Sequence, residues 1–587
     1  MKSGNPGARL SPQRRVPLRA SGQGRAPTVA VLGGGMGGMA CAHELAREGA
    51  AVTIYEASSS LGGKARSQFI PGTGTQGRFD LPGEHGFRFY PAFYRHVTAS
   101  MQEIYDPESP TGTVVGNLTS ASDGGMVLPG VGIVKTPRKL RTLADCRGAL
   151  ASIRHAGGSV GDLAHYLGAH LKYLTACDER RDGEIELLPW AEFVGAHVEG
   201  RYAEAFREVL LAGTRVMVAM DATRGSSRTV GLASSLLMVD SLDRSDIDRT
   251  MMGPTTLCWL EPWHRQLTAW GVQTRFGQRV ARLELDGRRV ARAWVTGNDG
   301  RAVPIEADAY VLAVPLDVAH GLMTDELSGA DPALELLRGS KPDRMTDWMI
   351  GAQFFLDADL PLCEGHLFFP RSPWALTAIS QAQFWNRGAR GMHRYGDGRL
   401  KGILSVDVSG CFTRDTRGRR LVDLTSRDEI LSAILDQIAT SLTPRTGAAL
   451  RRATFAAHLD YEVRVGPDGA SNAARLLVHP PGSWQVRPDA VLTIPNLFLA
   501  ADFVRTSIDL ATMEGANEAG RRAARGVLES LGFDASHVKL YHYPALDLFH
   551  RLRAVDSWLH ASDLPQLIDM PGRLRTAMTA AIGRLRA

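Results

Sequence analysis

The clearest pattern along the chain is a set of short apolar runs, each followed by a turn or by a helical stretch. The run at 29–32 leads into a glycine-rich turn, a helical pattern at 39–48 and a second apolar run at 52–55. Apolar runs of this length without polar alternation are typical of buried parallel strands. The beginning of the chain therefore predicts a β-α-β unit whose second strand ends at Glu56.

Runs of the same kind return far along the chain. One lies at 309–315, and another at 497–500 leads into a helical pattern at about 515–528. Before the first of these runs, 279–285 and 289–295 predict two strands joined through Asp-Gly, a strong hairpin signal. The fold class is therefore α/β, with a Rossmann-like nucleotide-binding domain assembled from discontinuous segments.

The remaining segments predict a second, α+β domain. Helical patterns dominate 100–260, for example at 144–154 and 203–211, and 345–490 mixes strands with helices. A length of 587 residues suits two domains of which one is large. We divide the chain into a leader (1–26), a nucleotide-binding domain (27–100, 265–318 and 490–532), a substrate domain (101–264 and 319–489) and a helical tail (533–587).

Charge and composition narrow the function. The net charge of +5 is concentrated in 1–26, which hold six basic residues and no acid, so the body of the chain is nearly neutral. A neutral body does not favour nucleic-acid binding. The leader has the composition of a disordered segment. No apolar stretch follows Arg14-Arg15, which disfavours a secretory signal, while a presequence-like role stays open.

The spacing of the cysteines and the length of the apolar runs disfavour further classes of protein. The six cysteines are scattered, with no Cys-x-x-Cys pair, which disfavours a disulfide scaffold or a Cys-rich metal site and suits a reducing cytoplasm. No apolar run approaches the roughly 18–20 residues of a membrane span. We predict no metal site and a cytoplasmic location.

The turn after the first strand carries a dinucleotide motif. Gly33, Gly35 and Gly38 form Gly-x-Gly-x-x-Gly between a strand and a helix, and Glu56 ends the next strand. In this context the glycines permit a tight turn and a close approach to a pyrophosphate at the helix N-terminus, while the acid binds ribose hydroxyls. Because a carboxylate repels a 2′-phosphate, we expect FAD or NAD rather than NADP.

Further motifs resemble the flavin amine oxidase and phytoene desaturase superfamily. Leu61-Gly62-Gly63-Lys64-Ala65-Arg66 resembles its Gly-Gly-Arg/Lys extension after the ribose acid, and Leu499-Ala500-Ala501-Asp502 resembles its Leu-Ala-Gly-Asp segment. The segment 512–520 resembles the desaturase-type signature. The cofactor residues that the resemblance implies are Gly63, Lys64, Arg66, Val280, Asp502, Met513 and Glu514.

The resemblance implies a cofactor and a fold. It implies non-covalent FAD in a glutathione reductase-type domain, with NAD(P)H as a possible external reductant. It extends over roughly 28–532, with specific motifs at both ends.

The segment 83–91 is the most unusual stretch, and the resemblance places it beside the flavin. His85 and Arg88 are therefore candidates for an acid/base and an anion clamp. The alternative is that His85 only hydrogen-bonds backbone and that Phe87, Phe89 and Tyr90 belong to the core. Two groups of tryptophans are expected in the core, and a large apolar cavity for a lipophilic substrate is the alternative for them. They comprise Trp259, Trp263 and Trp270, and Trp348, Trp374 and Trp385.

Two enzyme classes and one non-enzyme remain. The resemblance is greatest to phytoene desaturase-like, hydroxysqualene dehydroxylase-like and polycyclic tetramate macrolactam cyclase-like bacterial enzymes. It implies hydride transfer to or from carbon in a lipophilic polyene, isoprenoid or polyene macrolactam, by desaturation or reductive cyclisation in natural product biosynthesis. The second class is a flavin amine or amino-acid oxidase, which the scarcity of lysine disfavours. A flavin-binding structural protein is the third.

The tail has two amphipathic patterns. Apolar residues recur at helical spacing at 548, 552, 555 and 559, and again at 574, 578, 582 and 585, where arginines flank them. A basic amphipathic helix can lie on an anionic membrane, so peripheral membrane contact is one interpretation. Docking of the apolar face on the protein body is the other.

Overall fold

A parallel five-stranded sheet forms the base of the molecule. The computed structural model describes residues 26–137, 139–242, 248–543 and 547–571, without the side chains of 217 and 218. Neighbouring strands of the sheet run in the order Leu497–Leu499, Ala309–Leu312, Thr28–Leu32, Ala51–Glu56 and Gln273–Phe276, all parallel. The predicted α/β class and the strands of the β-α-β unit are confirmed. Gln273–Phe276 was not predicted, because this largely exposed edge strand has no apolar run.

The first helix, Met36–Arg47, begins directly after the glycine turn and packs against the helix Met513–Ser530. The predicted hairpin is present as Arg279–Asp286 and Arg289–Thr296, with Gly287 at a φ of +57° in the turn. A third strand, Ala302–Ile305, completes this antiparallel sheet.

The second large sheet has seven strands of mixed direction. Its order is Thr454–Leu459, Ile350–Leu356, Gly402–Val408, Leu376–Ser380, His366–Phe368, Asp123–Leu128 and Gly132–Pro137. Two-stranded pairs form between Ser67–Ile70 and Leu81–Glu84, Leu118–Ser120 and Arg249–Met251, Thr346–Asp347 and Leu476–Leu477, and Val463–Gly466 and Gly469–Asn472.

Helices cover both sheets and form a separate layer. Those of eight residues or more in the described chain, besides the two above, are Arg95–Glu103, Leu143–His155, Val160–Thr175, Glu204–Val218, Ser227–Asp240, Glu261–Ala269, Pro332–Gly339, Arg427–Ser441, Pro444–Ala453 and His550–Ala561. Shorter α-helices are Asp178–Arg180, Trp190–Phe193, Leu316–Gly321, Asp325–Gly329, Ala382–Trp385 and Ser483–Val486. The helical patterns predicted at 144–154, 203–211 and 515–528 are confirmed.

The two faces of the seven-stranded sheet differ in chemistry. Alternate residues such as Phe354 and Val406 pack in an apolar cluster with Ile434 and Leu450 of the helices Arg427–Ser441 and Pro444–Ala453. The opposite face is also buried, and beside the apolar Phe355, Ile379 and Ile403 it carries the polar side chains of Gln353, Ser405, Asp407, Thr377 and His366. Since buried polar side chains are uncommon on a sheet face, this face indicates a site.

The segment after Leu81–Glu84 lies directly on this polar face. Gln353 accepts a hydrogen bond from the Glu84 N–H at 2.9 Å and donates one to the Glu84 carbonyl at 3.2 Å. Gly351 makes the approach possible, because a Cβ there would lie 2.5 Å from the His85 carbonyl oxygen and 2.6 Å from that of Glu84.

We expect Gly351→Ala to lower the free energy of unfolding by about 1–3 kcal/mol, since the new methyl group must displace backbone. Gly466→Ala is the matched control, because Gly466 is also in a strand and no atom lies within 4 Å of its Cβ position. The control is expected to change the unfolding free energy by about 0.5 kcal/mol or less. Denaturant unfolding measures both, and equal values for the two variants would contradict the account.

Candidate active site

One large cavity contains most of the residues that the sequence singled out. It has a volume of about 960 Å³ and extends from the glycine turn to the polar face of the seven-stranded sheet and to three helices. The turn lies at the carboxyl ends of the parallel strands, where ligands bind in open α/β sheets. Gly33, Gly35, Glu56, Gly63, Lys64, Arg66, His85, Arg88, Val280, Asp502 and Met513 line it.

The glycine turn forms an open cradle at one end of the cavity. Gly33 has a φ of +118°, and a Cβ there would lie 2.2 Å from the Ala313 carbonyl oxygen. No atom lies within 4 Å of the Cβ position of Gly35, which begins the helix Met36–Arg47 without a side-chain cap. The helix N-terminus therefore has space and free N–H groups for an anion. Gly38 lets the helix pack closely on the turn, because a Cβ atom at this position would lie only 2.0 Å from the Gly33 carbonyl oxygen.

Glu56 stands at the edge of this cradle. One carboxylate oxygen accepts a hydrogen bond from the Gly34 N–H at 2.7 Å, and the other accepts from the Ser58 N–H and hydroxyl at 2.8 and 2.7 Å. The carboxylate is thus oriented toward the turn, and its remaining lone pairs are available to ribose hydroxyls.

The basic residues of the second motif are held by a distant segment. The Lys64 ammonium donates to the Arg475 carbonyl, and Arg66 pairs with Glu462 at 2.9 Å. Both side chains line the cavity. Their role toward a diphosphate stays a prediction.

Asp502 and Met513 line the cavity next to the cradle. Asp502 follows the strand Leu497–Leu499, and no described residue donates a hydrogen bond to its carboxylate. Met513 is the first residue of the helix Met513–Ser530, whose Thr512 side chain caps Gly515. Val280 lines the cavity from the hairpin.

Glu514 does not line the cavity, contrary to its assignment as a cofactor residue. It is fully buried, and one oxygen accepts hydrogen bonds from the N–H groups of Arg95 and His96 and from His96 Nδ1, all at 2.8 Å. The other accepts from the Val97 N–H at 2.9 Å. The helix Arg95–Glu103 has no side-chain cap of its own, so Glu514 satisfies its free N–H groups.

His85 is held by a buried aspartate that sequence reasoning missed. Its Nδ1 lies 2.5 Å from Asp460 Oδ2, while its buried Nε2 has no hydrogen-bond partner in the described chain. Gln68 donates to the other Asp460 oxygen at 2.7 Å. Burial would raise the pKa of Asp460, but the hydrogen bond and charge of His85 hold it below its usual range. The pair therefore fixes the ring and leaves Nε2 for a ligand.

Arg88 is bound mainly by the chain itself. Its guanidinium donates to the carbonyls of Gly86 and Lys64 at 2.7 and 2.9 Å and lies 3.5 Å from Glu84. Burial raises the pKa of Glu84 although Arg88 lies beside it. These contacts fix the shape of the segment 84–88.

Asp407 is a second functional group that the sequence did not reveal. It lies on the strand Gly402–Val408 and lines the cavity, where its Oδ1 accepts from the Phe87 N–H at 3.1 Å. Burial raises the pKa of Asp407 to about 7, although Arg88 opposes this rise. A carboxyl with such a pKa can exchange a proton near neutral pH.

A second histidine–aspartate pair lies in the same cavity. His366 Nδ1 lies 3.0 Å from Asp248, and its buried Nε2 has no hydrogen-bond partner in the part of the chain described. The rings of Phe87 and Phe89 contact His366 at centroid distances of 4.9 and 5.1 Å. The segment that carries His85 thus also packs on His366.

The far part of the cavity is apolar. Helices Val160–Thr175, Glu204–Val218 and Ser227–Asp240 contribute to it with the strand His366–Phe368. Its lining residues include Tyr166, Phe206, Val209, Leu210, Leu237 and Phe368. The tryptophans considered above do not line it, and they pack in the core, where Trp259 and Trp263 stack at 5.9 Å.

One curated relative matches most of this chain and another matches about half of it. It is 26% identical over 516 residues to the hydroxysqualene dehydroxylase of Rhodopseudomonas palustris, covering 85% of this chain and 98% of that protein. It is 23% identical over 282 residues to the 15-cis-phytoene desaturase of Solanum lycopersicum, covering 47% of this chain and 41% of the desaturase.

Solved structures share the fold. Putrescine oxidase bound to putrescine has a TM-score of 0.55 at 15% identity, covering 86% of this chain and 99% of the oxidase. Cyclohexylamine oxidase from Brevibacterium oxydans IH-35A has a TM-score of 0.57 at 14% identity, covering 86% and 100%. At sequence identities this low, the similarity shows a shared fold and does not show a shared function.

No described helix has the length and hydropathy to cross a membrane.

The family of the chain follows from these findings and from a direct match to a family model. The family model for flavin containing amine oxidoreductases matches residues 36–528, which is most of the chain and includes Glu56, the Gly62-Gly63 segment and Asp502. With the cradle, the discontinuous sheet and this match, the chain belongs to the flavin containing amine oxidoreductase family and is a flavin-dependent oxidoreductase.

Proposed function

We propose that this protein moves a hydride to or from a carbon centre of a large lipophilic polyene, isoprenoid or polyene macrolactam, with non-covalent FAD as its cofactor. The observation that carries the proposal is the single cavity, which joins the dinucleotide cradle to a long apolar section. The isoprenoid compounds in the names of the two relatives support the same substrate class. We place the reaction in natural product biosynthesis, as a desaturation or a reductive cyclisation.

The residues of the cavity fit FAD. The open N-terminus of Met36–Arg47 would take the diphosphate and Glu56 the adenosine ribose. Asp502, whose carboxylate has no hydrogen-bond donor among the described residues, is placed to receive polyol hydroxyls. Lys64 and Arg66 supply positive charge nearby.

When bound, FAD supplies the acceptor or donor of the hydride, so the chain needs neither a metal nor a nucleophile. The chain orients the substrate, excludes water and manages protons. The apolar section excludes water, and His85 can take or return a proton at Nε2 while Asp460 holds its ring. Arg88 positions the segment 84–88. In a reductive reaction, NAD(P)H is the proposed external reductant.

An amine or amino-acid oxidase is the alternative, since the solved structures with this fold include amine oxidases. Two features favour the first proposal. Lys64 is the one lysine among the described residues that line the cavity, and it is turned to the Arg475 carbonyl. The far section offers apolar surface rather than carboxylates for an ammonium group.

Anaerobic mixing distinguishes these functions. Purified protein is expected to be yellow and to release FAD on acid denaturation. We expect the flavin absorbance to change with at least one isoprenoid among phytoene, squalene and the alcohol geranylgeraniol in micelles, tested with oxidised and with photoreduced protein, and not with benzylamine. A change with benzylamine alone would favour the amine oxidase, and no change with any probe would favour a structural flavin protein. Colourless protein that cannot be reconstituted would refute all three.

Glu56→Ala is expected to weaken FAD binding by about 1–3 kcal/mol, because a charged acceptor is lost. The variant also leaves the Gly34 N–H without its acceptor, since this group donates a hydrogen bond to the Glu56 carboxylate at 2.7 Å. Glu306→Ala, on the surface, is the control. Fluorescence titration of apoprotein with FAD measures both, and an unchanged dissociation constant for Glu56→Ala would remove Glu56 from the site.

The tail is the basis of a separate proposal, peripheral membrane contact. The helix His550–Ala561 docks through Asp556 and Leu559, while Leu548 and Trp558 are 75% and 56% exposed. The predicted apolar stripe is therefore divided between the protein body and the surface. The second predicted stripe, at 574–585, lies outside the described residues.

Deleting 572–587 leaves the buried Met570 in place and removes four arginines with the second stripe. If these residues bind membranes, the truncated protein keeps its FAD but no longer floats with anionic liposomes at low salt. Loss of FAD or precipitation would show a structural role instead. Full-length protein that never floats would refute membrane contact directly.

A further inference from the structure

Three buried polar side chains meet where the cradle joins the apolar section. His85, His366 and Asp407 line the cavity and are 3%, 8% and 7% exposed. Phe87 connects them, because it follows His85 by two residues, donates its N–H to Asp407 at 3.1 Å and contacts the His366 ring at 4.9 Å. We refer to His85, His366 and Asp407 as the polar cluster.

The sheet register places two members of the cluster close together. Asp407 pairs with Thr377 on the next strand, and Thr377 pairs with Phe368 on the strand after that. His366 precedes Phe368 by two residues and therefore lies on the same sheet face. His85 faces them from the segment above, where the Cβ position of Gly86 lies 2.7 Å from Asp407 Oδ1.

Both histidines offer an acceptor to the cavity. Each ring has its Nδ1 beside a carboxylate, Asp460 for His85 and Asp248 for His366. A carboxylate accepts hydrogen bonds, so a neutral ring carries its proton on Nδ1 and leaves Nε2 as an acceptor. Both Nε2 atoms are buried and have no hydrogen-bond partner among the described residues, which is costly unless a ligand or water supplies a donor.

Asp407 offers a donor. Its Oδ1 is occupied by the Phe87 N–H, and no described residue donates to its Oδ2. Burial raises the pKa of Asp407 to about 7 against the lowering effect of Arg88, and the acids Asp460 and Glu84 nearby add to the rise. Below pH 7 the carboxyl is mostly protonated and can donate from Oδ2.

We propose that the polar cluster binds a hydroxyl group of an otherwise lipophilic substrate, so that the substrate is an alcohol rather than a plain hydrocarbon. The inference rests on the proposed function and narrows its substrate class. A hydroxyl group carries one donor and two acceptor lone pairs. It can donate to one histidine Nε2 and accept from Asp407, whereas the apolar section receives the hydrocarbon part.

Other functional groups match the cluster less well. A hydrocarbon leaves both Nε2 atoms and Asp407 Oδ2 without a partner, and a carbonyl oxygen can use only the Asp407 donor. An ammonium group would need an ionised Asp407 and would be repelled by the guanidinium of Arg88, whose charge acts on Asp407. Sites built to hydrogen-bond a hydroxyl discriminate strongly against analogues that lack it, because their polar groups are then unpaired.

Binding to the FAD-loaded protein tests the proposal without turnover. The probes are geranylgeraniol, the hydrocarbon of the same skeleton without the hydroxyl, and geranylgeranylamine, each titrated in micelles under anaerobic conditions. The change in flavin fluorescence gives the dissociation constants. At pH 6.5 we expect the alcohol to bind roughly 10-fold more tightly than the hydrocarbon or the amine, as one or two buried hydrogen bonds would give.

Variants of Asp407 test the donor. Asn at this position can keep accepting from Phe87 while its amide group donates into the cavity, so Asp407→Asn is expected to retain the preference for the alcohol. Asp407→Leu is expected to lower the alcohol affinity by roughly 3- to 10-fold and to leave the hydrocarbon affinity unchanged. Asp347→Asn is the control, since burial also raises the pKa of Asp347, which does not line the cavity.

The pH dependence gives an independent readout. A group with a raised pKa donates below that pKa and loses its proton above it, so wild-type affinity for the alcohol is expected to fall by several-fold from pH 6.5 to 8. The charges of Glu84, Arg88 and Asp460 act on Asp407, and these residues and the two histidines are unchanged in the Asp407 variants. The fall is expected to be absent in Asp407→Asn.

His85→Asn and His366→Asn test the acceptors, because the amide group can still donate to the partner aspartate while Nε2 is lost. Each variant is expected to retain FAD, and at least one is expected to lose the preference for the alcohol. Equal binding of alcohol and hydrocarbon by wild type overturns the inference but leaves the proposed function intact. Tighter binding of the amine overturns the inference and favours the alternative function. Failure to bind any probe overturns both.

Discussion

The site depends on the contact between the backbone of residues 84–86 and the seven-stranded sheet. Gln353 hydrogen-bonds both the N–H and the carbonyl of Glu84, much as a neighbouring strand would. The absence of a side chain at Gly351 lets the two backbones touch. Because residues 81–86 follow the nucleotide cradle in the chain, this contact joins the cradle to the sheet, and the cavity is the space that remains between them.

Burying charged groups at this junction is costly unless each has a partner. Asp460 has His85, Gln68 and the Glu462 N–H, and Arg88 has Glu84 and two carbonyls. The atoms without partners are therefore informative. Nε2 of His85 and of His366 are among them, and both belong to residues that line the cavity. These two atoms lie in the cavity that substrate and cofactor would share, whereas other buried atoms without a partner among the described residues, such as both ring nitrogens of His479, belong to residues outside it.

Features of the fold could be predicted where their signal lies in one continuous stretch of sequence. The strand, glycine turn and helix at 28–47 form one continuous signal, and the hairpin at 279–296 has its own turn residues, so both were predicted. Glu514 was misassigned because neighbouring helix residues point about 100° apart. Met513 faces the cavity, whereas Glu514 faces the uncapped helix Arg95–Glu103, which has no Ser, Thr, Asp or Asn at its start. The absence of a capping residue at the start of this helix was the sequence signal that could have indicated the role of Glu514.

Asp407, His366 and Asp460 could not be found from the sequence, since each is a lone polar residue in or beside a buried strand. Strand register alone brings Asp407 and His366 to one face, and register between segments so distant in the chain is not visible in a single sequence. The tryptophans were easier to place from the sequence. Large aromatic side chains usually pack in the core, which was the favoured interpretation, and the structure buries all six there.

The central claim is that one cavity holds the cofactor at the dinucleotide cradle and the substrate in the apolar section. A crystal structure of the FAD-loaded protein soaked with geranylgeraniol tests it most directly. The account predicts density for the flavin ring beside Arg88 and Met513, and density for the isoprenoid chain among the helices that carry Tyr166 and Leu210. Flavin or isoprenoid density elsewhere, with this cavity filled only by water, would contradict it.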